Sequence, residues 1–211
     1  MPPEEFVLAH TTPTPVPMVP EIVLHSAAEA MDLWALTERE QPPFWAFPWA
    51  GGQALARYVL DHPETVRDQT VLDLASGSGL VAIAAALAGA ARVIANDVDP
   101  LSLAAIALNA QANNVHIELL EGDQLAGDAG GADVVLAGDA FYDRDITERV
   151  MPFLRRASAG VRQCRVLVGD PERAHLPRSQ FTALVRYAVP VPLTLESTDT
   201  RPATVWTPNP P

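Results

Sequence analysis

Residues 71–84 read VLDLASGSGLVAIA: an aliphatic run holding one acid, a glycine-serine turn, then a second aliphatic run rich in alanine. A short apolar run bounded by a turn reads as a buried strand, and the longer run after it as a helix. Gly77-Ser78-Gly79 followed by Ala82 completes G-x-G-x-x-A, in which the glycines let a ligand approach the backbone above a helix N-terminus. Several nucleotide-cofactor folds share this turn, so by itself it does not choose among them.

The pattern repeats on either side. Strands are expected at TVLDLA (70–75), ARVIAND (91–97), HIELLEG (116–122), DVVLAGD (133–139) and RVLVGDP (165–171). Helices are expected over 53–60, 79–88, 100–113 and 146–159. Continuous apolar strands separated by helices predict an α/β fold with a mostly parallel sheet covered on both faces. FTALVRYAVPVPLTLES and TRPATVWTP lack a helix between them, which predicts a hairpin and an antiparallel edge; the tail TPNPP reads as a structureless end. Residues 1–41 read as a proline-rich arm and 42–211 as the α/β domain. Four prolines between His10 and Pro20 predict an extended segment, and the arm is expected to hold a short strand and, at SAAEAMDLWALTERE, a helix with Ser26 as its N-cap.

With 211 residues, 48% of them hydrophobic, the chain suits one well-filled α/β domain. The formal net charge of −12 disfavours nucleic acid and anionic membrane as partners. It favours cationic partners, or serves only solubility. The single cysteine, Cys164, excludes an intramolecular disulfide and a multi-cysteine zinc site; no metal is expected, and Cys164 reads as a core thiol. MPPEEFVLAH has acids where a secretion signal carries positive charge, which predicts a reducing, cytoplasmic location. The longest apolar window, 80–95, is broken by Gly89 and Arg92 and falls short of a membrane span.

The acids around the glycine turn select the ligand. Asp73 lies four residues before Gly77, and the turn holds no Lys or Arg. A dinucleotide pyrophosphate there would be repelled by roughly several kcal/mol at intermediate dielectric. S-adenosylmethionine carries an α-ammonium and a sulfonium, which a carboxylate stabilises. Asp97, eighteen residues beyond Gly79, has the spacing of the carboxylate that receives ribose hydroxyls; Asp99 is its competitor and opens the next helix. Val98 lies between them. Asp123 in EGDQL either accepts the adenine amino group or stabilises a turn. GDAFYD brings Asp139, Tyr142 and Asp143 to a strand end where a methyl acceptor would meet the cofactor. Carboxylates and a tyrosine suit a lysine amine; the competing reading makes Phe141 and Tyr142 core aromatics and the aspartates caps.

FWAFPWAGGQALARYVLDHP (44–63), VLDLASGSGLVAIAAALAGA, VIANDVDP, LAGDAFYD and VLVGDP, in this order, closely resemble the electron transfer flavoprotein β-subunit lysine methyltransferases. These belong to the seven-β-strand, S-adenosylmethionine-dependent protein methyltransferases. The resemblance covers residue 42 to about 171. It implies a Rossmann-like seven-β-strand methyltransferase fold, strand order 3-2-1-4-5-7-6 with strand 7 antiparallel. It further implies methyl transfer to lysine of a folded protein, the flavoprotein β subunit. Trp49 and Gly51 are then expected to border the cofactor, with Asp73, Ala75, Ser76, Gly77, Gly79, Asp97 and Val98 binding it. Asp139, Tyr142 and Asp143 would form the acceptor-lysine site, while Phe44, Trp45 and Phe47 anchor the chain against the sheet. One departure is Ala75-Ser76, where many relatives have Gly-Ser. The competing functions are a small-molecule or other-protein N-methyltransferase of the nicotinamide-methyltransferase type, an NAD-dependent oxidoreductase, and a non-catalytic cofactor-binding domain. Nothing in the sequence addresses oligomeric state.

Overall fold

The computed structural model describes residues 1–37, 42–160, 163–191 and 198–210. Helix α1 (Pro3–His10) starts on a proline with Glu4 and Glu5 in its first turn, a favourable arrangement at the positive end of a helix. It leads into an antiparallel hairpin, β1 (Thr12–Val16) and β2 (Val19–Ser26), and then α2 (Ala30–Thr37). The N-terminal arm thus holds two paired strands between two helices, where one short strand and one helix were expected. Val16, Val19, Ile22 and Leu24 are buried, and side chains hold the β2 backbone. His25 N donates to Asn109 Oδ1 (2.7 Å) and Val23 N to Asn113 Oδ1 (2.9 Å). In a two-stranded ribbon, prolines with no N–H to donate are tolerated. Ser26 ends β2 rather than capping a helix, and positions 38–40 of the expected helix lie outside the described residues.

A single 3₁₀ turn at Phe44–Ala46 precedes α3 (Ala50–Asp61), which is followed by β3 (Thr70–Leu74), α4 (Leu80–Leu87), β4 (Arg92–Asp97), α5 (Pro100–Ala112) and β5 (Glu118–Glu121). The chain continues through β6 (Val134–Gly138), α6 (Arg144–Ala159), β7 (Arg165–Asp170), β8 (Phe181–Pro190) and β9 (Thr200–Pro208). Seven strands pair in the order β5-β4-β3-β6-β7-β9-β8. The first five are parallel; β9 runs antiparallel to both β7 and β8. Numbered from β3, this is the expected 3-2-1-4-5-7-6. Part of the expected strand PVPLTLES, residues 192–197, lies outside the described residues. The tail is tied down as far as Asn209, whose N–H donates to the Gln180 carbonyl (2.9 Å) and whose Oδ1 accepts from Thr182 (2.7 Å).

Alternation along the strands divides the core. Val71, Val93, Val134 and Leu136 face α3, α4 and the hairpin, whereas Leu72, Leu74, Val135 and Val166 face α6. Cys164 is buried on the α6 side and its thiol donates to the Ala132 carbonyl (3.0 Å). A third cluster joins Val7, Leu33 and Trp45 to Leu101, Ala104 and Ala105 of α5. Trp45 thus anchors the chain on α5 and α1, not on the sheet as expected.

Candidate active site

The order of connection reverses between β3 and β6, and in open α/β sheets the crevice at such a switch point is where ligands bind. A cavity of about 250 Å³ opens there, at the carboxyl ends of β3, β4, β5 and β6.

Its floor is the turn after β3. Ala75, Gly77 and Gly79 all have positive φ (52°, 56° and 82°), which folds the backbone tightly under α4. Asp73 braces that turn: its Oδ2 accepts from Ser76 Oγ (2.5 Å) and from Ala82 N (3.0 Å). The side chain lines the cavity although only 1% of the residue is exposed. Burial lifts its pKa to about 7, against these two hydrogen bonds, and the Asp97 charge adds to the rise. Asp97 grips the turn from β4. Its Oδ2 accepts from Gly77 N (2.8 Å) and its Oδ1 from Asp99 N (2.9 Å). Burial raises this carboxyl as well. Asp99 is the N-cap of α5, accepting from Leu101 N, and so opens that helix as expected. Val98 stands exposed at the cavity edge. Asp123 lines the rim, accepts from Leu125 N (2.9 Å) and pairs with Arg149, so it serves a turn while facing the cavity.

The aromatic stretch forms one wall. Trp49 Nε1 donates to the Phe44 carbonyl (2.8 Å), and its ring meets those of Phe44 and Phe47 edge-on at 5.9 and 6.1 Å. All three line the cavity. Phe44 is therefore a pocket residue, while Phe47, buried in the cluster that holds Trp45, both anchors the chain and lines the cavity. Gly51 does not border the cavity; it is buried where α3 crosses the ends of β6 and β7, and Gly52 takes the lining position. Gly79 likewise supports the turn without lining the cavity.

Asp139 follows β6 with φ 54°, held by its own N–H on the Gly169 carbonyl (2.8 Å). Its Oδ2 accepts from Gly52 N at the start of α3 (2.7 Å), and its Oδ1 from Arg173 Nη2 (3.3 Å). Burial raises its pKa, opposed by the Arg173 charge and the α3 amides. Tyr142 lies beside Phe44, ring centroids 5.0 Å apart, and burial pushes its hydroxyl up. Asp143, expected in the acceptor site, is instead the N-cap of α6. Its carboxylate accepts from Ile146 N (2.8 Å), and it does not line the cavity. Arg173 was not foreseen; its only sequence signal is a second Gly-Asp pair, Gly169-Asp170, three residues before it.

The cavity lining holds five carboxylates, Asp73, Asp97, Asp99, Asp123 and Asp139, against two guanidinium groups, Arg149 and Arg173. Both cations are paired with lining acids. A pyrophosphate would face net negative charge, whereas S-adenosylmethionine brings two positive groups to it. These residues fit that cofactor. No cluster of three or more His, Cys, Asp or Glu suited to a metal ion occurs among the described residues.

Residues 53–138 match the family model of ribosomal protein L11 methyltransferase, PrmA. Over 212 residues the chain is 37% identical to the electron transfer flavoprotein beta subunit lysine methyltransferase of Xenopus laevis, covering 97% of this chain and 86% of the relative. It is 39% identical to that of Mus musculus over 183 residues (84% of this chain, 70% of the relative). The Caenorhabditis elegans homolog shares 32% over 201 residues (87% and 81%). Among solved structures, a putative RNA methyltransferase, PH1948 from Pyrococcus horikoshii, superposes with a TM-score of 0.58 at 18% identity. The match covers 82% of this chain and 94% of that one, a likeness of fold alone. By its identity to curated relatives over most of its length, the chain belongs to the family of electron transfer flavoprotein β-subunit lysine methyltransferases, which are S-adenosylmethionine-dependent.

Proposed function

We propose that the protein methylates lysine side chains of the electron transfer flavoprotein β subunit, the substrate for which its relatives are named. The observation that carries the reading at the site is Asp139, a carboxylate with 12% of its side chain exposed that faces the cavity beside the paired rings of Phe44 and Tyr142. An ammonium entering there donates a charge-assisted hydrogen bond to the acid and meets the face of an aromatic ring.

In this reading Trp49, the turn at 75–79, Asp73, Asp97, Val98 and Asp123 hold the cofactor. Bound S-adenosylmethionine supplies an electrophilic methyl group on a sulfonium. The protein's part is alignment and exclusion of water. Asp139 accepts the acceptor nitrogen's N–H and fixes its direction; Tyr142 and Phe44 wall the channel and bind the cation. The acceptor nitrogen would act as the neutral amine, its ammonium proton passing first to solvent at the open side of the cavity, with S-adenosylhomocysteine as the leaving group. Among the described residues no helix is long and apolar enough to cross a membrane, and the lone buried thiol suits a reducing, cytoplasmic compartment.

Incubation with radiolabelled S-adenosylmethionine and recombinant flavoprotein β subunit tests the proposal. Label on lysine supports it; label on a small molecule and none on the flavoprotein would sink it. Asp139→Asn should abolish transfer and leave binding of S-adenosylhomocysteine largely intact.

A further inference from the structure

Strands β6 and β7 both close on Gly-Asp, and Gly138 and Gly169 are register partners, so Asp139 and Asp170 leave neighbouring strand ends side by side. Both carboxylates are withdrawn from water: the Asp139 side chain is 12% exposed and Asp170 is fully buried. Two acids so placed repel each other, and the interior favours protonating one unless a cation intervenes. Arg173 is that cation. Its backbone N–H donates to Asp170 Oδ1 (2.7 Å) and its Nη2 to Asp139 Oδ1 (3.3 Å). The turn that carries it is held on both sides. Glu172, at φ 61°, takes Arg186 Nε on its carboxylate (2.5 Å) and Arg178 Nη2 on its carbonyl (2.7 Å).

Asp170 is the acid of the pair that gives way, because Asp139 has both the guanidinium and the α3 amides; the buried Asp170 Oδ2 and Arg173 Nε have no hydrogen-bond partner. We propose that Arg173 is a positioning residue that keeps Asp139 ionised to receive the acceptor ammonium, and that Asp170, the acid of the pair that takes up a proton first, fixes the turn that presents Arg173. The proposal rests on the reading that Asp139 takes the acceptor amine. Burial lifts Asp170 to about 6, with the Asp139 charge adding to the rise. Helix α3 brings the Gly51 and Gly52 amides to Asp139 at its positive end. Tyr142 follows on the same loop, and Asp73, Asp97, Asp99, Asp123 and Arg149 are the other ionisable groups lining the cavity.

The side-chain carboxyl of Asp139 can be titrated by carbon NMR in the full-length protein. Arg173→Gln should move its midpoint up by about one pH unit or more, the usual effect of removing an opposite charge at this range. Arg173→Lys should restore most of the shift. Asp170→Asn keeps an oxygen for Arg173 N and should leave the midpoint in place, since Asp170 is already protonated where Asp139 titrates. Thermal melting and S-adenosylhomocysteine binding establish that each variant is folded; should Arg173→Gln not fold, Arg173→Met is titrated in its place. An Asp139 titration in the folded neutral variant superimposable on the parent's, or an equally large shift in Asp170→Asn, would overturn the roles of Arg173 and Asp170. Retained transfer in Asp139→Asn would instead overturn the reading of Asp139 itself.

Discussion

Gly51 and Gly169 meet backbone to backbone: a Cβ on either would overlap the other's carbonyl oxygen. This approach seats the first turn of α3 over the ends of β6 and β7, and it lets Gly52 N reach Asp139 Oδ2 at 2.7 Å. The helix thereby presents its positive end to the carboxylate.

Gly51→Ala forces these backbones apart, and neither can yield as a flexible side chain would. Overpacking of this kind costs about 1–3 kcal/mol. The variant should melt at lower temperature and lose methyl transfer by more than tenfold, because the α3 amide leaves Asp139. Melting and transfer both at wild-type values would show that the close approach is dispensable.

Ala75 stands at φ 52°, the left-handed region where a Cβ is disfavoured. Ala75→Gly removes that conflict, and should stabilise the protein by roughly 1 kcal/mol, the scale of the left-handed penalty less glycine's extra entropy loss. Chemical denaturation measures it. A variant no more stable than the parent would mean that the neighbouring Ser76–Asn96 bond already absorbs the strain.

The sheet was legible because strand and helix periods alternate regularly from residue 70 onward. The glycine turn and its acids were legible because Asp73 and Asp97 sit at fixed offsets from Gly77. What escaped lies where distant segments meet. The hairpin at 12–26 depends on Asn109 and Asn113 of α5, and nothing local in a proline-rich run announces that. Arg173 reaches Asp139 only because β6 and β7 are neighbours in register. Asp143 misled in the opposite way: an Asp opening a helix is first a cap, and its closeness in sequence to Tyr142 outweighed that.

Asp143→Ala accordingly should cost about 0.5–2 kcal/mol through the lost bond to Ile146 N, with transfer largely retained. Melting and the transfer assay, run together with Asp139→Asn, separate cap from acceptor site. A collapse of transfer in stably folded Asp143→Ala would return this residue to the acceptor site.

Trp45 and Trp49 stand four residues apart and should fail differently. Trp45 is 1% exposed in the cluster that joins α1 to α5, and truncation to alanine should cost about 3–5 kcal/mol. Trp49 is partly exposed at the cavity and holds the Phe44 carbonyl. Its truncation should weaken S-adenosylhomocysteine binding about tenfold or more, with a smaller loss of stability; calorimetry and melting of the two variants distinguish these outcomes.

Asp73 gives the site a pH dependence with a definite sign. Burial sets its carboxyl at about 7 in the folded protein, against 3.8 ordinarily. Between these values the folded state holds a proton that the unfolded chain has released, so this residue's contribution to stability declines as pH rises through the window. A ligand carrying an α-ammonium favours the ionised form, so its affinity should increase as pH rises through 7, with release of up to one proton. Titration calorimetry with S-adenosylhomocysteine in two buffers of different ionisation enthalpy counts that proton. Asp73→Asn should flatten the dependence, since the amide cannot ionise. Proton release of equal size in Asp73→Asn would assign the titration to another group, with Asp97, also raised by burial, as the next to test.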